Sequence, residues 1–152
     1  MRSQMMRRFT SMRGCTVLLM WFGLTGVAAA ELSVQQAWSR ALPPVSNVGA
    51  VYLTVVNSGE IERHLVAVHQ QLAARAELHA HVLKNGMMNM RKQASAVIKS
   101  GGKTAFVPGG LHVMLFGLSR PLSEGLAYPI TLEFANGERI YTTVEVRLSA
   151  PE

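Results

Sequence analysis

The chain has 152 residues, 49% of them hydrophobic, with 15 Lys and Arg against 9 acidic residues and a formal net charge of +6. Four of those cations, Arg2, Arg7, Arg8 and Arg13, lie in the first 30 residues with no acid among them, so residues 31–152 hold eleven cations against nine glutamates, a net charge of +2. With so even a balance and no basic stripe interleaved with aromatics, nucleic acid is excluded as the expected partner. The single cysteine, Cys15, also lies in the first 30 residues, which excludes a disulfide framework, a thiol redox centre and a thiolate-based blue-copper site from the remainder.

Residues 1–30 read as a secretory signal peptide, with a basic start at Arg2 to Arg13, an apolar run from Cys15 to Val27, and Ala28-Ala29-Ala30 as a small-residue cleavage site. The apolar run falls short of the roughly 20 residues a membrane span takes. The alternative to cleavage is an uncleaved signal anchor that tethers the protein to the membrane. Cys15 follows Met12-Arg13-Gly14 rather than the apolar run a lipoprotein site needs. The expected destination is therefore beyond the inner membrane, in an oxidising compartment. The expected organisation is a leader over 1–30 followed by one domain over 31–152, long enough to bury a core without staples.

Beyond the leader, short stretches of alternating polarity follow one another between turn residues. Strands are expected at Leu32 to Arg40, Gly49 to Val56, His64 to His69, Ala76 to Leu83, Met87 to Lys92, Ala96 to Lys99, Lys103 to Val107, Leu111 to Leu118, Tyr128 to Phe134 and Arg139 to Leu148. Asn57-Ser58-Gly59, Asn85-Gly86, Pro108-Gly109-Gly110 and Asn136-Gly137 punctuate them, with Asn-Gly the strongest short-range hairpin signal. Residues 70–76 are the one place where a short turn of helix is expected. So many short strands at this spacing imply an all-β sandwich or barrel of Greek-key type.

The chemistry is written in histidine and methionine. His79 is followed after ten residues by Met90, after twenty-one more by His112, and then by Met114. Of nine methionines, the four beyond the leader are confined to Met87, Met88, Met90 and Met114, whereas methionines that only fill a core would be scattered. Imidazole and thioether together suit copper(I), a soft cation, better than hard ions that prefer carboxylates and carbonyls. A thioether needs no deprotonation and cannot be lost to a disulfide, an advantage in an oxidising compartment.

Strand parity pairs these residues, and the return of strand 111–118 would bring the pairs together. Residues i and i+2 point the same way, which pairs His112 with Met114, His79 with His81, and Met88 with Met90. A turn at Asn85-Gly86 folds Met88 and Met90 back beside His79 and His81. By the same rule Met87 points away and is expected to pack, while His64 and His69 have opposite parity and no methionine near them in sequence. Trp38 and Tyr52 read as core or inter-sheet aromatics. Residues 31–152 contain no aspartate, no nucleotide-binding glycine loop and no recognisable Ser-His-acid set, so no catalytic activity is expected.

Four blocks, AWSRALPP, GAVYLTVVNSGE, AELHAHVLKNGMMNMRK and VPGGLHVMLFGLSRPLSEG, cover most of residues 34–134. In these blocks and in its His/Met spacing the chain resembles the periplasmic copper chaperones of the PCu(A)C type. The resemblance implies a cupredoxin-like β-sandwich, a monomer that carries one copper(I), and His79, Met90, His112 and Met114 as its ligands, with His81 and Met88 as accessory candidates. It also implies delivery to an acceptor, either the dinuclear copper centre of cytochrome c oxidase or a second copper chaperone. Copper storage or detoxification without a dedicated acceptor is the competing reading.

Overall fold

The structure, a computed structural model, describes residues 31–84 and 86–151. The expected leader and Asn85 lie outside the described residues. The strands are β1 (Leu32–Arg40), β2 (Val48–Asn57), β3 (Arg63–His69), β4 (Ala73–Lys84), β5 (Met87–Lys92), β6 (Ala96–Ile98), β7 (Gly102–Phe106), β8 (Leu111–Leu118), β9 (Ala127–Phe134) and β10 (Arg139–Arg147). No helix occurs among the described residues, and the all-β expectation holds.

The strand order is β5-β4-β8-β2-β1-β10-β9-β3-β6, with β7 pairing β2. Non-sequential neighbours such as β4 with β8 and β8 with β2 require long connections across the sheet. β1 runs parallel to β10 and antiparallel to β2. Opposite β1, β2 is shared between two partners: its first half pairs β8 through Val48 to Val51, and its second half pairs β7 through Leu53 to Asn57.

Alternation along the strands builds the core. Val51, Leu53 and Val55 of β2, Val113 and Leu115 of β8, Leu132 and Phe134 of β9, and Val144 and Val146 of β10 all point inward and are buried. Full burial of such a side chain contributes about 1.5–3 kcal/mol, so the core holds β4 and β8 in place from one side. Their other side is left to the histidines and methionines.

The helical turn expected over 70–76 does not form. Gln70 precedes a bend at Gln71 and Leu72, and β4 already begins at Ala73. The Gln70 side chain explains this: its Oε1 accepts from the amides of Leu72 (2.5 Å) and Ala73 (2.6 Å), and its Nε2 donates to the Ala73 carbonyl at 2.8 Å. A side chain that satisfies the local backbone offers it an alternative to helix. At the first turn, Asn57 acts similarly, donating to the Ile61 and Ile98 carbonyls and accepting from the Gly59 amide.

One polar contact lies deep in the core. The hydroxyls of Ser39 on β1 and Tyr128 on β9 are 2.7 Å apart, and both residues are buried. Burial pushes the Tyr128 phenol up to about 12. Tyr128→Phe would strand the Ser39 hydroxyl, so the variant should lose about 1–3 kcal/mol of stability. In urea unfolding this should appear as a lower midpoint at unchanged slope; an unchanged midpoint would show that the bond contributes nothing.

Candidate metal centre

β4 is held between β5 and β8, and the two ladders decide which side chains meet. In the β4–β8 ladder His79 stands directly opposite His112, and Glu77 opposite Met114. In the β4–β5 ladder His79 faces Lys92, His81 faces Met90, and Leu83 faces Met88. The two imidazoles therefore form a central pair. Met90 and Met114 flank it, each one same-face position removed and on opposite sides. Core residues alternate with the site residues: Val113 is fully buried between His112 and Met114, and Leu78 is buried between Glu77 and His79.

The β4–β5 hairpin closes at Gly86, whose φ of 75° lies in the left-handed region that glycine enters without steric cost. A second glycine turn shapes the start of β8. Gly109 has a φ of 78°, and the Gly110 amide donates to the Val107 carbonyl at 3.0 Å. This turn aims the Gly110 carbonyl back at the site, where it accepts from His112 Nδ1 at 2.9 Å and from the His81 amide at 3.3 Å.

Each central imidazole has one nitrogen already engaged. A carbonyl can only accept, so His112 carries its proton on Nδ1 and presents a lone pair at Nε2. His79 is the mirror case: Nε2 lies 3.0 Å from Glu77 Oε2, so the proton is on Nε2 and the lone pair on Nδ1. That Nδ1 is buried and has no hydrogen-bond partner, and the same is true of His81 Nδ1. Glu77 also receives Lys92 Nζ at 3.1 Å and lies 3.5 Å from Arg75 Nε. Hydrogen bonds from His79 first, and from Lys92 next, hold its carboxyl below the usual carboxylate range.

Aromatic rings wall the pair on one side. The His112 ring centroid is 6.2 Å from that of His79, 5.3 Å from His81 and 6.5 Å from Tyr52. Tyr52 stacks in turn on Trp38 at 4.9 Å, so Trp38 stands one ring removed from the imidazoles. Phe116 lies 5.9 Å from His79, and the Arg75 guanidinium lies over the Phe116 ring, 4.5 Å from its centroid. His112 is only 3% exposed, whereas Met90 is 46% and Met88 59% exposed. The pair is sheltered and the hairpin thioethers reach into solvent.

Burial lowers the His112 pKa, the nearby His81 and His79 lower it further, and the Gly110 carbonyl opposes them. His112 is thus neutral at pH 7 with its lone pair available. The unfolded chain takes up this proton near the ordinary value of 6.5, the folded one only at lower pH. Stability of the metal-free protein should therefore fall as pH drops below 6.5 and level off beneath the folded value. Melting temperatures between pH 7.5 and 5 should show this slope in the parent and a shallower one in His112→Gln; equal slopes would remove His112 as the cause.

The other residues singled out in the sequence lie elsewhere. Met87 pairs with Lys84, outside the His/Met face, and is 66% exposed rather than packed; at the tip of an edge hairpin no second layer covers it. His64 is 3.1 Å from Glu62 and His69 2.7 Å from Glu133, both on β3. A surface cleft along residues 124–127 and 145–151 contains no histidine or methionine. Glu77 was not among the candidates, although its parity with His79 and His81 placed it on their face. Among the described residues no group of three or more His, Cys, Asp or Glu is arranged to hold an ion.

Residues 32–146 match the family described as "Putative lipoprotein LpqE-like". The chain belongs to the LpqE-like family. Within reach of this family is the "Putative lipoprotein Lxx21020" of Leifsonia xyli subsp. xyli (strain CTCB07), 31% identical over 150 residues that cover 90% of this chain and 89% of the relative. Among solved structures, the LpqE-like chain superposes on CuI-DR1885 from Deinococcus radiodurans with a TM-score of 0.67 and 30% identity, over 82% of this chain and 84% of that one. It also superposes on the copper-bound PCuAC domain from PmoF2 with a TM-score of 0.66 and 22% identity, over 82% and 97% of the two chains. The LpqE-like fold is thus the cupredoxin-like β fold of PCuAC domains.

Proposed function

We propose that the protein is a periplasmic copper(I) metallochaperone that holds one ion between His79, Met90, His112 and Met114 and passes it to an acceptor. The observation that carries this reading is the His79–His112 pair. The two stand directly cross-strand, each with one ring nitrogen engaged by a fixed oxygen, Glu77 for His79 and the Gly110 carbonyl for His112. Histidines that ligate metals almost always donate their other N–H to a carboxylate or a carbonyl, which fixes the tautomer. A buried Nδ1 without partner on His79 is costly unless something binds there.

The composition of the face favours copper(I). With no group of three or more His, Cys, Asp or Glu placed to hold an ion among the described residues, a full shell draws on thioethers, which are soft donors. Four neutral ligands hold the ion without cancelling its charge, and each sulfur can be exchanged separately. The exposed methionines add a flexible, polarizable contact surface for an acceptor. Copper appears in the names of two similar structures, CuI-DR1885 and the copper-bound PmoF2 domain.

The leader over residues 1–30, and the word lipoprotein in the names of the family and of its Leifsonia relative, support export. Cleavage after Ala30 leaves residues 31–152 as a soluble domain, a monomer without catalytic activity. The acceptor is the dinuclear copper centre of cytochrome c oxidase or a second copper chaperone. Storage or detoxification uses the same site but needs no acceptor, and transfer to an apo oxidase copper domain separates the two.

Copper loading under reductant tests the site itself. X-ray absorption should show both sulfur and nitrogen scatterers, and the solution should be colourless because no thiolate is present for charge transfer. Oxygen and nitrogen scatterers alone, or an intense visible band, would overturn the reading.

A further inference from the structure

We propose that His81 is an exchange ligand, the imidazole that takes up copper(I) when the Met90 thioether lets go, and that the β4–β5 hairpin is the side by which the ion enters and leaves. This rests on the His/Met site proposed above. The register motivates it: Met90 stands across from His81, while His79 has Lys92 and His112 as its neighbours. Met90 therefore stands directly against His81 and only diagonally against His79. That ring is also closer to His112 than the His79 ring is, 5.3 Å against 6.2 Å between centroids.

His81 is equipped for a transient role. Its Nδ1 is buried and has no hydrogen-bond partner, a state that costs free energy until the nitrogen is used. His79 is tethered at 3.0 Å by Glu77, two residues before it on β4, whereas the residue two before His81 is His79 itself, not a carboxylate. The tethered ring suits a resident ligand and the untethered one suits a ligand that comes and goes. Beyond them on the same face of β5 stands Met88, 59% exposed. Soft donors thus run outward from the sheltered His112 through His81 and Met90 to the hairpin tip.

The step is a simple substitution. A Cu–S bond to Met90 breaks as a Cu–N bond to the lone pair of His81 forms, copper stays +1 and nothing is oxidised. The ion keeps its coordination number while the Met90 sulfur, or an acceptor's donor on the exposed side, is free to exchange.

Two measurements decide it. In the Met90→Leu protein loaded with copper(I), the ring 15N resonances of His81 should shift from their metal-free positions. In the His81→Phe protein, which keeps a ring of similar size against His112, equilibrium affinity for copper(I) should stay within about threefold of the parent. Removal of the ion by the chelator bathocuproine disulfonate should nevertheless slow by about tenfold, and His81→Gln should behave the same way. Unmoved His81 resonances in loaded Met90→Leu, or unchanged release from His81→Phe, would overturn the proposal. So would an affinity loss in His81→Phe as large as that of His112→Ala, which would make His81 a resident ligand. Failure of the underlying site reads differently: His112→Ala and Met114→Leu would then bind copper(I) like the parent.

Discussion

Replacing Met114 with leucine should leave the fold standing and strip the centre of its grip on copper(I). Leucine and methionine have similar volumes, so the exchange should cost less than about 1.5 kcal/mol of stability. Met114 is half-buried and faces Glu77 on β4 and Ala50 on β2, an environment a leucine fills adequately. The sulfur has no such substitute. On this side of the His79–His112 pair the facing β4 residue is the carboxylate Glu77, a hard donor that copper(I) takes poorly. Affinity should fall by about a hundredfold or more, equivalent to about 2.7 kcal/mol or more of binding free energy. Competition with a chromogenic copper(I) chelator measures the affinity, and urea unfolding of the metal-free variant measures the stability. Parent-like affinity in Met114→Leu would move the site elsewhere; a large stability loss would return Met114 to a packing role.

Most strands were legible because their signal is local. The stretch 49–56 was expected and Val48–Asn57 is found; 111–118 was expected and Leu111–Leu118 is found. Alternation declares itself within a few residues, and the turn residues bracket it. The exception over 70–76 arose where a glutamine side chain, rather than a pattern of side-chain polarity, set the backbone path. Parity also paired His79 with His81, Met88 with Met90, and His112 with Met114, each on one face of its own strand, without knowledge of the fold.

Long-range register was not legible, because it depends on pairings between distant segments. Nothing local says that His79 lands opposite His112, or Glu77 opposite Met114; the β4–β5 register, with Met90 opposite His81, follows from the two-residue turn. The β4–β8 matches depend on β8 crossing to lie between β4 and β2. The Gly110 carbonyl as an acceptor for His112 was hidden for another reason: backbone groups leave no trace in composition. Trp38 and Tyr52 could be read as aromatic packing, but only the β1–β2 register shows Tyr52 standing between Trp38 and the imidazoles.

Glu77 carries the second large effect. It is the carboxylate that holds His79 Nε2, and Lys92 and Arg75 hold it in turn. In Glu77→Ala the His79 N–H loses its acceptor, so the ring can take either tautomer and more than one orientation. Copper(I) affinity should drop by about 10–100-fold, the usual cost of losing such a partner. Glu77→Gln keeps an acceptor oxygen for His79 while removing the charge, and its affinity should fall between alanine and parent. The ring 15N shifts of His79 in the metal-free protein distinguish positioning from general damage. In the parent they should report a proton fixed on Nε2; in Glu77→Ala they should move toward a mixture of tautomers, while His112, held by Gly110, stays as it was. If Glu77→Ala bound copper(I) as tightly as the parent with an unchanged His79 tautomer, the carboxylate would be no more than a partner for Lys92 on the surface.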